Sequence, residues 1–189
     1  MPGSPTLRLH HIEQHSRANG PGARIVLWTQ GCSLGCPGCF NPQTHPGRGG
    51  KLWKVDDLIA LIISSPGHPE GLTISGGEPL QQIQPLSRLL RGVRLRSDLS
   101  IILFTGFSWE EIQKLPGSHQ ILPNVDVLLA GRFDQSQRLA SGLRGSANKT
   151  VHFLTNRYDL AALDAVPPTE VTLAKDGSLT ISGIDPLTW

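Results

Sequence analysis

All three cysteines of this chain, Cys32, Cys36 and Cys39, lie within eight residues of one another in the stretch TQGCSLGCPGCFNPQTH at positions 29–45. The fold must present that one loop. Ser33, Gly35, Pro37 and Gly38 lie between the cysteines, and such small, turn-forming residues let a short loop wrap a compact ion or cluster. Two ligand schemes compete. A structural zinc ion is closed by four ligands, and His45, six residues beyond Cys39, is the available fourth. A [4Fe–4S] cluster ordinarily takes four cysteines, so three leave one iron open to a ligand from outside the protein.

Composition narrows the setting. A chain of 189 residues, 38% hydrophobic and 17% charged, suits one domain with a sizeable core. The net charge of +2 is too small to argue for nucleic acid. Its arginines are scattered (Arg88, Arg91, Arg94, Arg96, then Arg132, Arg138, Arg144), with no basic stripe interleaved with aromatics. No run approaches the roughly 20 apolar residues of a membrane span. The opening MPGSPTLRLHHIEQHS lacks the apolar core of a signal peptide. The expectation is a cytoplasmic, reducing location, where clustered cysteines are not a disulfide framework. An odd number would leave one unpaired in any case.

Along the chain, strand and helix patterns alternate. Residues 24–30 (RIVLWTQ) read as a strand running into the cysteine loop. Residues 54–64 place Val55, Leu58, Ile59, Ile62 and Ile63 at helical spacing, with Asp56 and Asp57 favoured in the first turn by the helix dipole. Residues 71–75 (GLTIS) are a strand entering Gly76-Gly77-Glu78-Pro79. Residues 82–91 are the next helix, with Pro85 near its start. Residues 100–105 (SIILFT) and 125–130 (VDVLLA) are further strands, and 151–154 another. Ser108 with Glu111 three residues on is a capping box for a helix over 108–115. Strands separated by helices imply βαβ units and a parallel sheet. The tail departs from this: residues 170–174 and 178–182 flank Lys175-Asp176-Gly177, a hairpin signal.

Beyond spacing, several segments resemble one enzyme superfamily. Cys-x3-Cys-x2-Cys after a strand is similar to the signature of radical S-adenosylmethionine enzymes. NGPGARIVLWTQGCSLGCPGCFNPQTH resembles the N-terminal region of the glycyl-radical-enzyme activases within it. TISGGEP (73–79) resembles their Gly-Gly-Glu-Pro motif, and LFTGFSWEEI (103–112) a strand end of the same group. VDVLLAGRFDQ and LRGSANKT resemble the late segments of the branch that activates anaerobic ribonucleoside-triphosphate reductase, with Lys149 where that branch usually has glutamine. The arrangement Gly38-Cys39-Phe40-Asn41 also fits the activase branch. The tail from about Val151 resembles nothing that can be named.

With no linker to divide it, the chain reads as one domain over 1–189, with its core at about 19–150 and, from the hairpin signal, a C-terminal β-hairpin extension at 151–189. The resemblance implies an α/β fold: an incomplete, open (β/α)6-type barrel of about six mainly parallel strands. It implies a [4Fe–4S] cluster on Cys32, Cys36 and Cys39, with S-adenosylmethionine on the open iron. Reductive cleavage of that cofactor would yield a 5′-deoxyadenosyl radical, which abstracts hydrogen from a glycine of a partner protein. That partner is a glycyl radical enzyme such as anaerobic ribonucleotide reductase, and the electron donor is of flavodoxin or ferredoxin type. Two alternatives stand beside it: a radical enzyme acting on a peptide or small molecule, and a non-enzymatic zinc module using His45.

Site residues follow. Gly76, Gly77, Glu78 and Pro79 suit a cofactor wall at the C-terminal end of a parallel strand. The glycines allow close backbone approach, while Glu78 meets the cofactor ammonium or orients backbone. Gly38 and Phe40 are expected against the adenine, and Asn41 capping the loop. Thr105, with Gly106, ends its strand at the pocket. Asp126, a carboxylate in an apolar strand, must be paired and is a pocket candidate. Arg144, with Ser146 and Asn148, is a candidate for the cofactor carboxylate. His10, His11 and His15 are read as surface residues.

Overall fold

The first strand, β1 (Thr6–Ser16), is one that the sequence reading leaves out. The structure, a computed structural model, describes residues 4–173 and 176–184. Leu7 and Leu9 point into the core, but His10-His11 interrupts the alternation, and two register shifts follow in the pairing with the next strand. Strand β2 (Arg24–Thr29) comes next, then the cysteine loop and the short β3 (Lys51–Lys54), which pairs antiparallel with β1. Helix α1 (Val55–Ile63) buries Val55, Leu58, Ile59 and Ile62, the 3.6-residue stripe its sequence shows. Strand β4 (Gly71–Gly76) enters a 3₁₀ turn, Pro79–Gln82, which opens onto α2 (Ile83–Arg94).

Strand β5 (Ser100–Phe104) leads to α3 (Trp109–Lys114). The Ser108 hydroxyl there accepts from the Glu111 amide, and the Glu111 carboxylate accepts from the Ser108 amide at 2.7 Å: the expected capping box. Helix α4 (Ser118–Ile121) and strand β6 (Val127–Ala130) follow. A small hairpin, β7 (Arg138–Ser141) with β8 (Arg144–Ser146), precedes β9 (Thr150–Phe153) and α5 (Leu160–Asp164). The chain then forms the expected C-terminal hairpin, β10 (Thr169–Leu173) with β11 (Leu179–Gly183). Ala174 and Lys175 of the expected hairpin lie outside the described residues, as do residues 1–3 of the opening stretch and 185–189 of the tail.

Seven strands make the main sheet, in the order β3-β1-β2-β4-β5-β6-β9. The four central strands, β2, β4, β5 and β6, are parallel, and their apolar runs (RIVLWT, GLTISG, SIILF, VLLA) are what a sheet covered on both faces requires. The edges differ from the expected strand set, because β1, β3 and β9 pair antiparallel. The parallel strands follow chain order without reversal, so right-handed crossovers carry α1, α2 and the helices after β5 to one face. The larger core lies there, with Leu27, Ile74, Leu103 and Leu128 against Leu58, Leu86 and Leu90. The opposite face carries Ile102, Val127 and Leu129 with Leu143 and Leu163. The architecture is thus mixed α/β with a mainly parallel centre, wound in one direction. Among the described residues, no helix is long and apolar enough to cross a membrane.

At the N-terminal ends of the parallel strands the fully buried Arg24 serves as a plug. Its guanidinium donates to the Thr73 and Ser100 hydroxyls at 2.7 and 2.8 Å, and to the Leu72 and Ser100 carbonyls at 2.9 and 3.1 Å. Burial pushes its pKa down, and Tyr158, itself donating to Glu70 at 2.5 Å, offsets that. The bottom of the sheet is therefore sealed by side-chain chemistry, while the C-terminal ends are left to the loops that build a site.

Candidate functional site

The cysteine loop leaves the C-terminal end of β2 and is closed at its own base. Gly31 N donates to the Thr44 carbonyl at 2.7 Å and Cys32 N to the His45 carbonyl at 3.1 Å. The Gln30 amide nitrogen donates to the carbonyls of Gln43 and Pro46. Gln81 clamps the first turn, with Ser33 Oγ 2.6 Å from its Nε2. Within the loop, Cys39 N donates to the Cys36 carbonyl at 3.2 Å, and Asn41 N reaches Cys39 Sγ at 3.4 Å; Asn41 holds the loop through this backbone amide and its carbonyl, not through the side-chain cap expected of it. Gly38 sits at φ +68°, and a Cβ there would run into Gln135, so glycine is required between the second and third cysteines.

Cys32, Cys36 and Cys39 are half-buried free thiols lining one pocket at the C-terminal ends of the strands. Burial pushes the Cys32 thiol up. The same pocket is lined by Phe40, Asn41, Gly76, Gly77 and Thr105. The two glycines make their close approach to the protein's own backbone. A Cβ on Gly77 would lie 2.4 Å from the Gly31 carbonyl oxygen, and one on Gly76 2.3 Å from Thr29 N. Gly77 N donates to the Thr29 carbonyl and Glu78 N to the Gly31 carbonyl, so the end of β4 is fastened to the start of the cysteine loop.

Glu78 does not face the pocket. Its carboxylate is buried and accepts from Leu80 N at 2.9 Å, the Thr105 hydroxyl at 2.8 Å and Gly106 N at 2.7 Å. Of the two roles expected for it, the structure shows the orienting one. Burial pushes its pKa up, and those two amides and the hydroxyl pull it back. Pro79 is buried at the head of the 3₁₀ turn. Gly38 lies against Gln135 and is not among the lining residues.

Two expected pocket residues are placed elsewhere. Asp126 is at the N-terminal end of β6, the opposite end of the sheet. Its carboxylate pairs with Arg94 at 2.8 Å and accepts from Ile101 N at 2.7 Å and the Thr155 hydroxyl at 2.8 Å. Burial pushes that carboxyl up, but Arg94 and the two other donors outweigh it and hold it below the ordinary carboxylate range. A buried carboxylate needs partners, and here α2 supplies the main one. Arg144 does not line the pocket, and its Nε is buried without a hydrogen-bond partner among the described residues. Its expected companions hold the 132–134 loop instead: the Ser146 hydroxyl accepts from Asp134 N, and Asn148 donates to the Arg132 carbonyl.

The residue that the sequence reading did not assign to the site is Lys149. It lines the pocket, and its ammonium donates to the Gly131 carbonyl. Burial pushes its pKa down, while Cys36, Glu78 and Cys39 attract the charged form. Trp28, Ser75 and Phe104 also line the pocket from the inner face of β2, β4 and β5. Phe40 packs at a tilt of 47° against Phe133 with centroids 4.4 Å apart, and Gly145 of β8 leaves room for its ring.

The donor set fits an iron–sulfur cluster. Three thiols face one half-buried pocket beside a half-buried cation, Lys149, that can balance the anionic charge of thiolate-held iron and sulfide. His45 lines the pocket as well, but among the described residues no three His, Cys, Asp or Glu side chains converge as a single ion requires.

Residues 18–152 match the family model described as 4Fe-4S single cluster domain. The chain is 35% identical over 135 residues to the anaerobic ribonucleoside-triphosphate reductase-activating protein of Enterobacteria phage T4, covering 69% of this chain and 84% of that one. It is 30% identical over 155 residues to the protein of the same name from Salmonella typhimurium, covering 78% and 99%. Among solved structures, QueE from Escherichia coli aligns over 55% of this chain and 54% of its own at 19% identity, with a TM-score of 0.41.

Proposed function

Because the chain belongs to the family of the anaerobic ribonucleoside-triphosphate reductase-activating proteins, built on a 4Fe-4S single cluster domain, we propose that it is a radical S-adenosylmethionine activase installing a glycyl radical on such a reductase. The observation that carries this reading is the pocket itself: three thiols, and no fourth cysteine in the chain, against the glycine turn of β4. Cys32, Cys36 and Cys39 would hold the cluster, leaving one iron for S-adenosylmethionine. The bound cluster would supply the electron for reductive cleavage of that cofactor, and with it the radical chemistry that takes hydrogen from a glycine of the reductase.

The protein's own residues position and exclude. The loop base bonds from Gly31 and Cys32 fix where the thiols stand. Glu78 ties the ends of β4 and β5 together beneath the pocket floor, keeping the Gly76-Gly77 wall and Thr105 in register. Asn41 holds the Cys39 sulfur through its backbone amide. Phe40, Trp28 and Phe104 give the pocket an apolar lining that keeps water from a reactive radical. Lys149, half-buried, supplies a positive charge at the pocket wall. Residues 19–150 form the catalytic core of one domain and 151–189 an extension. A flavodoxin- or ferredoxin-class protein donates the electron, and a reducing cytoplasm suits the free thiols.

The test is product formation. Protein reconstituted anaerobically with iron and sulfide, then given dithionite and S-adenosylmethionine, is expected to release 5′-deoxyadenosine and methionine in equal amounts. Neither product above the level of cluster-free protein would contradict the reading.

A further inference from the structure

The C-terminal hairpin is amphipathic the wrong way round. Glu170 and Ser182 are opposite each other on one face, which turns toward the body of the protein. Glu170 accepts from the Ser16 hydroxyl at 3.0 Å and from Arg17 N at 2.6 Å. The Ser182 hydroxyl accepts from the Asn19 amide at 2.7 Å and donates to Glu13 at 2.8 Å. On the other face, Val171 is opposite Ile181 and Leu173 opposite Leu179. These four are 51%, 40%, 69% and 66% exposed. They make up four of the eight large hydrophobic side chains exposed among the described residues; the others are scattered.

A two-stranded ladder on its own is marginal in water. One whose polar face is tied to the body at Glu170 and Ser182 while its apolar side chains stand in solvent marks a contact surface. Its position says for what. Gly183, at the end of β11, and the following Ile184 line the cysteine pocket. Ile181 is two residues back along that strand, about 7 Å at strand rise. A groove between β1 and the hairpin, with His10, Glu13, Thr180 and Ile181 in its walls, shares Trp28, Phe40 and Gly183 with the pocket. Whatever covers the apolar face therefore reaches, at Ile181, the groove that opens into the pocket. A second copy of this chain seated there would occupy the approach that a protein substrate needs. The hairpin also lies beyond residues 18–152, the stretch matched by the family model.

We propose that the apolar face formed by Val171, Leu173, Leu179 and Ile181 is the docking surface for the protein substrate, through an apolar patch of that partner, and that docking there delivers the partner's loop along the β1 groove into the pocket. This rests on the activase reading above. Its test uses the full-length, cluster-loaded chain with Leu173→Ser and Leu179→Ser combined. Both side chains are largely solvated, so the melting temperature and cluster absorbance are expected to match the parent. Affinity for anaerobic ribonucleoside-triphosphate reductase, measured by calorimetry, is expected to fall by about tenfold or more. The glycyl radical yield at limiting enzyme should fall with it. Unchanged affinity and yield would overturn the proposal, as would a parent chain that does not bind the reductase. A variant that changes only from dimer to monomer, with affinity for the reductase retained, would assign the face to a second copy and overturn it too. Binding that weakens as expected, in a parent chain that releases no 5′-deoxyadenosine, would support the docking surface and remove the activase reading.

Discussion

Replacing Cys36 with serine is expected to give a folded, nearly colourless protein. Each of the three thiolates holds one iron, and with one removed two irons lack a cysteine. Iron after anaerobic reconstitution should fall from about four per chain to below about one, and 5′-deoxyadenosine release by at least about a hundredfold, since even second-shell losses at metal sites cost about ten- to a hundredfold. The apo chain should melt unchanged, because the loop is closed at Gly31, Cys32 and Gln30 and not through the Cys36 side chain. Cys32→Ser and Cys39→Ser should behave alike. His45→Ala is the contrasting variant. The His45 contact that holds the loop is its backbone carbonyl, which alanine keeps. Iron content should therefore survive in His45→Ala, whereas a zinc site closed by this histidine would lose its metal.

Glu78→Ala is expected to produce the largest loss of stability among pocket-region variants. It strands three donors beneath the pocket: the Leu80 and Gly106 amides and the Thr105 hydroxyl. Each unsatisfied buried group costs about 1–3 kcal/mol. The sum is a large fraction of the roughly 5–15 kcal/mol that holds a domain folded, and a fall in melting temperature on the order of 10 °C or more follows. Glu78→Gln keeps one acceptor but turns an NH₂ toward a donor, so its loss should be intermediate. Affinity for S-adenosylmethionine should weaken in step with stability, because the residue acts by holding the ends of β4 and β5. A Glu78→Gln protein that melts like the parent yet binds the cofactor far more weakly would mean that the carboxylate meets the cofactor directly.

What could be read in the sequence was whatever local spacing encodes. The cysteine loop, the Gly76-Gly77 turn, the stripe of α1, the capping box of α3 and the C-terminal hairpin each carry their signal within a dozen residues. What could not be read depends on partners distant in the chain. Strand β1 is fixed by ladders to β2 and β3, and His10-His11 hides its alternation. Asp126 has the signature of a pocket carboxylate, but its answering charge, Arg94, comes from α2, 32 residues back in the chain. Lys149 becomes a pocket residue only because β8 and the turn before β9 fold back over the cysteine loop. Arg24 opens a strand in sequence and seals the sheet floor in space. Gly76 and Gly77 have the expected conformational freedom, yet they use it to join two loops of the same protein.

The place of the absent fourth cysteine belongs to the cofactor. Electron paramagnetic resonance of the reconstituted, dithionite-reduced protein, with and without S-adenosylmethionine, tests it directly. A [4Fe–4S]⁺ signal whose g values shift when the cofactor is added is the expected result. A cluster signal that the cofactor leaves unchanged, or a colourless protein carrying one zinc per chain, would contradict it.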